Sequence, residues 1–344
     1  MFGPTPLPRT FEAALRDLAS EDARVRASAF ADLARYEFDD EPRRGRALAA
    51  IERALLRDDD VRVRAAAVEA AAEWRASELV PALLMAVEDD FPFVGELAVR
   101  TLGELADVRA TPKLRRLLED ERPELRFQAI GAWCKLPHEG DTERYGPVLD
   151  RMRSETNRKV MLMALRVLDE RAEGESFGDA AGAVEGFLRA ALEHPETALL
   201  AGIVLAKRGD GEGRRVVVGR LNARPLPGSV PTEDDREAVL LAGRYRWADA
   251  VPALARRAHG IGRFLADTCA TEALVALTAL GDARSARDLE KLARKAKGPA
   301  FAALVLMLAR ARAAMALPWI EPRATELGGL EESLAELRAA ASAA

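Results

Sequence analysis

A helix-period phrase returns along the first half of the chain, and a chain that repeats itself every few tens of residues has few folds open to it. Val63 anchors the phrase in "DDDVRVRAAAVEAAAEW"; the equivalent residues are Val25, Val94, Leu125 and Val160, at steps of 38, 31, 31 and 35 residues. Four residues after each anchor stands an alanine (Ala29, Ala67, Ala98, Ala129, Ala164), and the next residue is apolar (Phe30, Val68, Val99, Ile130, Leu165). Apolar residues at that spacing mark one face of an α-helix. A second helix precedes most of these. Val80-Pro81-Ala82-Leu83, Thr111-Pro112-Lys113-Leu114 and Val251-Pro252-Ala253-Leu254 share a form with proline in the first turn, where its missing N–H leaves no bond unmade. Each unit therefore reads as two antiparallel helices joined by a short acidic turn. No segment alternates as a strand would. The expected fold is all-α: a right-handed α-solenoid (α-α superhelix) of about eight or nine stacked helix pairs.

The later chain keeps the phrasing more loosely. "LAGRYRWADAVPALARRA" (241–258) parallels "LGELADVRATPKLRRLL" (102–118), and "LTALGDARSARDLEKLA" (277–293) does so again. The phrases D-x-x-x-x-V-R-x-x-A and L-G-x-x-x-D-x-x-A-x-P-x-L resemble HEAT repeats, specifically the bacterial HEAT-like class also found in phycobilisome bilin lyases. The resemblance runs from about Phe11 to Ala324 and is strongest between Ala54 and Leu168. It implies the solenoid and leaves function open, because one repeat serves scaffolds, enzymes and nucleic-acid binders. Residues 1–10 read as an extended lead-in, 11–324 as the solenoid, and 325–344 as a terminal helix or tail. Gly- and Pro-rich interruptions near 169–182 and 222–231 read as loops, and Thr232 with Asp235 forms a capping-box signal that restarts a helix.

Composition narrows the function classes. Aromatics are only 5% of the chain, so its core is built from Ala, Leu and Val, which suits closely packed helices. The formal net charge of −5 gives no global pull toward nucleic acid or anionic membrane. Cys134 and Cys269 lie far apart within apolar helical patterns and read as free buried thiols without metal-ligand spacing. The start lacks the apolar core of a secretory signal, and the apolar stretch 300–309 is too short to span a bilayer, so a cytoplasmic protein without membrane contact is expected. The arginine-rich, lysine-poor balance fits a GC-rich bacterial coding sequence.

The acidic turns invite a metal-site reading that their recurrence argues against. Asp58, Asp89, Asp120 and Glu155 each lie five residues before an anchor, where an acid accepts orphan N–H groups and suits the helix dipole, by about 0.3–1 kcal/mol. Arg26, Arg64 and Arg126 occupy the position after the anchor, from which they reach the acidic turn of their own or a neighbouring unit. Asp58, Arg64, Asp120 and Arg126 are thus expected to form a structural ladder. Consecutive Asp58, Asp59 and Asp60 cannot converge on one ion without support, and no histidine is near in sequence. HEAT-type di-iron hydroxylases carry several His-Glu pairs, whereas His138-Glu139 is the one such pair here. Hydrolase, P-loop, dinucleotide and zinc-protease signatures do not occur, so neither a catalytic residue nor a cofactor is expected.

HEAT-like DNA glycosylases use a basic concave face with tryptophans, but Trp74 and Trp133 fall on the buried side of their helices and read as core. The exposed side falls six and ten residues after the anchor. There stand Glu69, Glu73, Arg100, Glu104, Lys135 and Arg166, whose alternating signs give no continuous cationic track. One local patch departs from this: Arg284, Arg287, Lys291, Arg294 and Lys295 share a helix face suited to an acidic partner or RNA, or simply to solvent. The third repeat is the odd one. Gly95 replaces the arginine, and Phe91 and Phe93 flank Pro92, where they either fill the vacated space or offer an apolar contact to a partner. The expected function is a non-enzymatic scaffold that binds another protein along the concave surface. The alternatives are a nucleic-acid-binding or base-excision protein, and a bilin lyase-like protein.

Overall fold

A computed structural model describes residues 9–36, 41–173, 176–223, 230–260 and 269–343. The interruptions expected near 169–182 and 222–231, and the lead-in 1–10, fall partly outside these residues. The chain divides into two compact units, Met1–Phe187 and Leu188–Ala344. The described residues are helical, with no strand among them.

The first unit holds five antiparallel pairs: α1 (Phe11–Asp17) with α2 (Ala23–Leu33), α3 (Glu41–Arg57) with α4 (Val61–Glu73), α5 (Val80–Ala86) with α6 (Pro92–Leu105), α7 (Thr111–Leu117) with α8 (Pro123–Lys135), and α9 (Asp141–Met152) with α10 (Arg158–Asp169). Helix α11 (Ala181–Leu192) runs across the unit boundary. The second unit begins its own stack with α12 (Ala198–Lys207), followed by α13 (Gly211–Asn222) with α14 (Glu233–Arg244), and α15 (Val251–His259) with α16 (Ala270–Ala279). It continues with α17 (Ala283–Lys295) and α18 (Gly298–Arg310), then α19 (Leu317–Leu327) and α20 (Glu331–Ser342). Each unit is by itself a solenoid-like stack of helix pairs, and the terminal segment after Ala324 is largely the helix α20.

Helix starts follow two alternative chemistries at one repeat position. Three residues before the anchor, Asp22, Asp60 and Asn157 cap α2, α4 and α10 by accepting from the backbone N–H two residues on. In the repeats of α6 and α8 that position is Phe91 or Arg122, which make no side-chain cap. Those two helices carry proline at the first turn instead, where one fewer N–H needs a partner. In the second unit Thr232 and Asp235 form the expected capping box at the start of α14.

Packing follows from the anchor pattern. The second helices of the first unit stack on one another, α2 on α4, α4 on α6, α6 on α8 and α8 on α10. Val63, Val94, Leu125 and Val160 are buried, Val25 is half-buried, and the recurring alanines from Ala29 to Ala164 are buried. Each fully buried Val or Leu contributes about 1.5–3 kcal/mol relative to exposure. Small residues set the spacing: a methyl placed on Gly103 would lie 2.4 Å from the Cα of Ala132, so α6 and α8 meet backbone to backbone there. Gly243, nine residues before Pro252 as Gly103 is before Pro112, does the same on α14, where a methyl would lie 2.7 Å from the Cα of Ala276 on α16. The glycine of the repeated phrase is thus a close approach between second helices. In the second unit, α14, α16 and α18 enclose a core that includes Leu240, Trp247, Leu274, Leu277, Phe301 and Leu308.

Candidate interaction surface

Two sets of charged residues separate once the pairs are stacked, one set between repeats and one facing outward. The arginines after the anchors make the joints. Arg26 sends Nε and Nη2 to both carboxylate oxygens of Asp58 at 2.9 and 2.7 Å, while its Nη1 donates to the carbonyl of Ser20 in its own turn at 3.0 Å. Arg64 repeats this on Asp89 at 2.7 and 2.8 Å, and on the carbonyl of Asp58 at 3.0 Å. Arg126 repeats it on Glu155 at 2.7 and 2.8 Å, and on the carbonyl of Asp120 at 2.7 Å. Each guanidinium therefore fastens its own turn to the carboxylate of the next, using the fork geometry that only arginine offers.

The acids five residues before the anchors do not cap the helices, contrary to the sequence expectation. Asp58, Asp89 and Asp120 accept the N–H of the residue two further on, and Glu155 accepts from Thr156 and Asn157, which folds the turn. Capping falls to the position two residues later because only there does the side chain reach the first free N–H groups of the helix. Burial by itself would raise the carboxyl pKa of Asp58, Asp89 and Glu155. Hydrogen bonds from Arg26, Arg64 and Arg126, with the backbone N–H groups, outweigh it and hold all three below the ordinary carboxylate value. The Arg126–Glu155 pair is the most enclosed, with side-chain exposures of 8% and 0%.

The junction after Gly95 is built differently. With no arginine to reach it, Asp120 binds Arg122 of its own turn at 2.9 Å, and Lys113 pairs with Glu88. Phe91 and Phe93 do not fill the vacated space, since they stand 48% and 51% exposed. The space is closed by backbone: a methyl on Gly95 would lie 2.7 Å from the carbonyl oxygen of Val87. Gly95→Arg, which restores the repeat's own residue, is therefore expected to destabilise the first unit by about 1–3 kcal/mol through overpacking. Chemical denaturation checks this, and a rise in the midpoint would contradict it.

The second unit uses another joint. Five residues after Pro252, Arg257 donates to the carbonyl of Leu221 at 3.1 Å, at the end of α13. Five residues after Pro318, Arg323 donates to the carbonyl of Ala293 at 2.6 Å, at the end of α17, with its guanidinium 4.1 Å from the Phe301 ring centre. Both satisfy the orphan carbonyls of the preceding first helix. Burial lowers the pKa of Arg257 from the ordinary arginine value.

The outward set lies on the second helices of the first unit. Glu69 and Glu73 on α4, Arg100 and Glu104 on α6, Lys135 on α8 and Arg166 on α10 are all exposed. Arg100 and Glu104 approach to 3.7 Å one turn apart, an exposed pair that contributes about 0.3–0.5 kcal/mol. Trp133 is buried and donates to the carbonyl of Arg144 at 2.7 Å, and the half-buried Trp74 donates to that of Ala34 at 3.2 Å, so both indoles serve packing. Both cysteines are free thiols; burial, and then the nearby Glu170, push Cys134 up to about 12, which keeps it protonated at neutral pH. No cluster of His, Cys, Asp or Glu fit to hold a metal occurs among the described residues. None of their helices is long and apolar enough to cross a membrane. In the second unit the five cations Arg284, Arg287, Lys291, Arg294 and Lys295 are exposed on α17.

The fold and these joints define a stack of antiparallel helix pairs held by inter-repeat arginines, and residues 48–134 match the family model of HEAT repeats. The match spans most of α3 to nearly all of α8, the stretch that contains the Arg64 joint and the odd third repeat. No curated protein matches the chain. Among solved structures, the crystal structure of an engineered protein is 20% identical, with a TM-score of 0.41, over 96% of this chain and 88% of that one. A likeness at that level carries no argument, so the fold class stands on the pairing and stacking of the helices themselves.

Proposed function

We propose that the chain is a non-enzymatic scaffold, with HEAT-type repeats extending beyond the matched segment, that binds another protein across the exposed face of α4, α6, α8 and α10. One observation carries this reading. Four consecutive second helices stack on each other, and each turns at least one charged side chain outward while its alanine face is buried. The result is a long row of mixed charge, which fits a shallow, extended interface and not a single deep pocket. Phe91 and Phe93 at the start of α6 supply apolar area for the same partner, of the kind that anchors an otherwise polar contact.

The test is a pull-down from native lysate with the wild-type chain and with Arg100→Glu/Arg166→Glu. The expected result is a protein retained by the wild type and lost by the variant, with thermal unfolding unchanged. If the wild type retains no protein, or the reversal leaves every partner bound, the reading fails. A salt-sensitive shift of labelled DNA would favour the nucleic-acid alternative, and capture of a tetrapyrrole would favour the bilin-lyase alternative.

A further inference from the structure

The charge of the second unit is sorted by layer. Its first helices α13, α15, α17 and α19 together carry eleven Lys or Arg against five Asp or Glu, while the second helices α14, α16, α18 and α20 carry eight acids against four bases. Cations on the first-helix layer of an acidic chain are therefore concentrated, and α17 holds five of the eleven.

On α17 they form one stripe. Ser285, Ala286, Leu289 and Ala293 are buried, and Arg284, Arg287, Lys291 and Arg294 follow one another at steps of three, four and three residues on the opposite side. That stepping keeps side chains on one seam of a helix, as in a coiled coil. The stripe spans about 15 Å at ~1.5 Å per residue. Arg284, Arg287 and Lys295 form no ion pair among the described residues. Asp288 and Glu290 border the stripe and pair with Lys291 at 3.1 Å and Arg294 at 2.7 Å. These border carboxylates confine the positive field to the width of a single helix. Leu292 stands 44% exposed beside it, an apolar surface within reach of a ligand lying along the helix.

We propose that α17 is a docking seam for an acidic helical segment of another protein, aligned along it with carboxylates at the same three- and four-residue spacing and an apolar side chain against Leu292. Charge complementarity selects the sign of the occupant, and the stepping and width of the seam select its shape. A nucleic-acid duplex is disfavoured by the bordering carboxylates, which would face its phosphates on both sides. α13, α15 and α17 expose no aromatic ring on which unpaired bases could stack. This seam lies in the second unit and is independent of the row on α4 to α10, so Arg100→Glu/Arg166→Glu leaves it intact.

The experiment uses the full chain and three labelled probes read by fluorescence anisotropy. They are a helical peptide about three heptads long (~21 residues) with glutamates at three- and four-residue spacing and one leucine beside them, a peptide of the same composition with the spacing scrambled, and a DNA duplex. The expected result is binding of the first peptide alone, weakened roughly tenfold or more by Arg284→Glu/Arg287→Glu, whose like charges then oppose the ligand. Binding should also fade between about 0.15 and 1 M salt, as the Debye length falls from ~8 to ~3 Å. Arg287→Gln/Lys291→Gln, which removes charge without adding repulsion, should weaken binding by a smaller factor, with thermal unfolding as the check on folding in both variants. Equal binding of the scrambled peptide, binding of the duplex in place of the peptide, or indifference to both variants would overturn the proposal.

Discussion

Arg126→Met is expected to destabilise the first unit by about 3–5 kcal/mol at pH 7, because it strips a fully enclosed carboxylate of its bidentate partner. In a unit of this size that corresponds to a fall of very roughly 6–20 °C in melting temperature. The pH dependence separates this mechanism from simple loss of packing. In the wild type the Glu155 pKa is held below the ordinary carboxylate value of 4.5, with burial opposing and Arg126 prevailing. A lowered folded-state pKa gives stability that is fully present above the unfolded value and is lost as pH falls through the folded one. Without Arg126 burial prevails, the Glu155 pKa rises, and protonation on acidification relieves the variant. Arg151, 3.3 Å from the same carboxylate, moderates the effect without cancelling it. The stability gap between the two proteins should therefore narrow from pH 7 toward about pH 4. Urea titrations at three or four pH values measure it, and a gap constant with pH would mean that the pair acts through packing alone.

Gly103→Val should be comparably severe for a different reason. The first carbon of the new side chain would sit 2.4 Å from the Cα of Ala132 and 2.7 Å from its Cβ, so relief must come from separating α6 and α8. Overpacking in a core typically costs about 1–3 kcal/mol when side chains can shift, and more when the opposing atoms are backbone. The gain in helix propensity on replacing glycine offsets only about 0.5–1 kcal/mol of this. The loss should be measurable by chemical denaturation as a lower midpoint. Far-UV circular dichroism should show little change, since the helices persist while their contact opens. A Gly103→Val protein as stable as the wild type would remove the close approach of α6 and α8 from the account.

Much of this architecture is legible in the residues because one short phrase carries both the helix and its joint. The anchors and their alanines give the buried face, and the outward positions follow from helical phase, which is why Glu69, Arg100, Lys135 and Arg166 are found exposed where the period puts them. The arginines after the anchors also carry a readable sign, because Arg26, Arg64 and Arg126 recur one residue on from the anchor and acids recur in the turns. What the phrase does not carry is division of labour within the turn. The acid at Asp58 and the cap at Asp60 differ by two residues and by the N–H each accepts, and only coordinates separate them. Gly95 looked like a missing arginine, but its meaning depends on Val87, whose carbonyl occupies the space any side chain would need. In the second unit Arg257 and Arg323 each stand five residues after a proline, but the carbonyls they meet, of Leu221 and Ala293, lie 36 and 30 residues back, so no fixed spacing announces the acceptor.

The central claim is that the exposed second-helix row of the first unit is where a partner protein binds. The most direct measurement places a photo-crosslinking residue at Lys135, on α8, and in a second protein at Arg116, exposed on the first helix of the same pair. The account predicts a partner adduct from position 135 and none from position 116. An adduct from position 116 alone would contradict it.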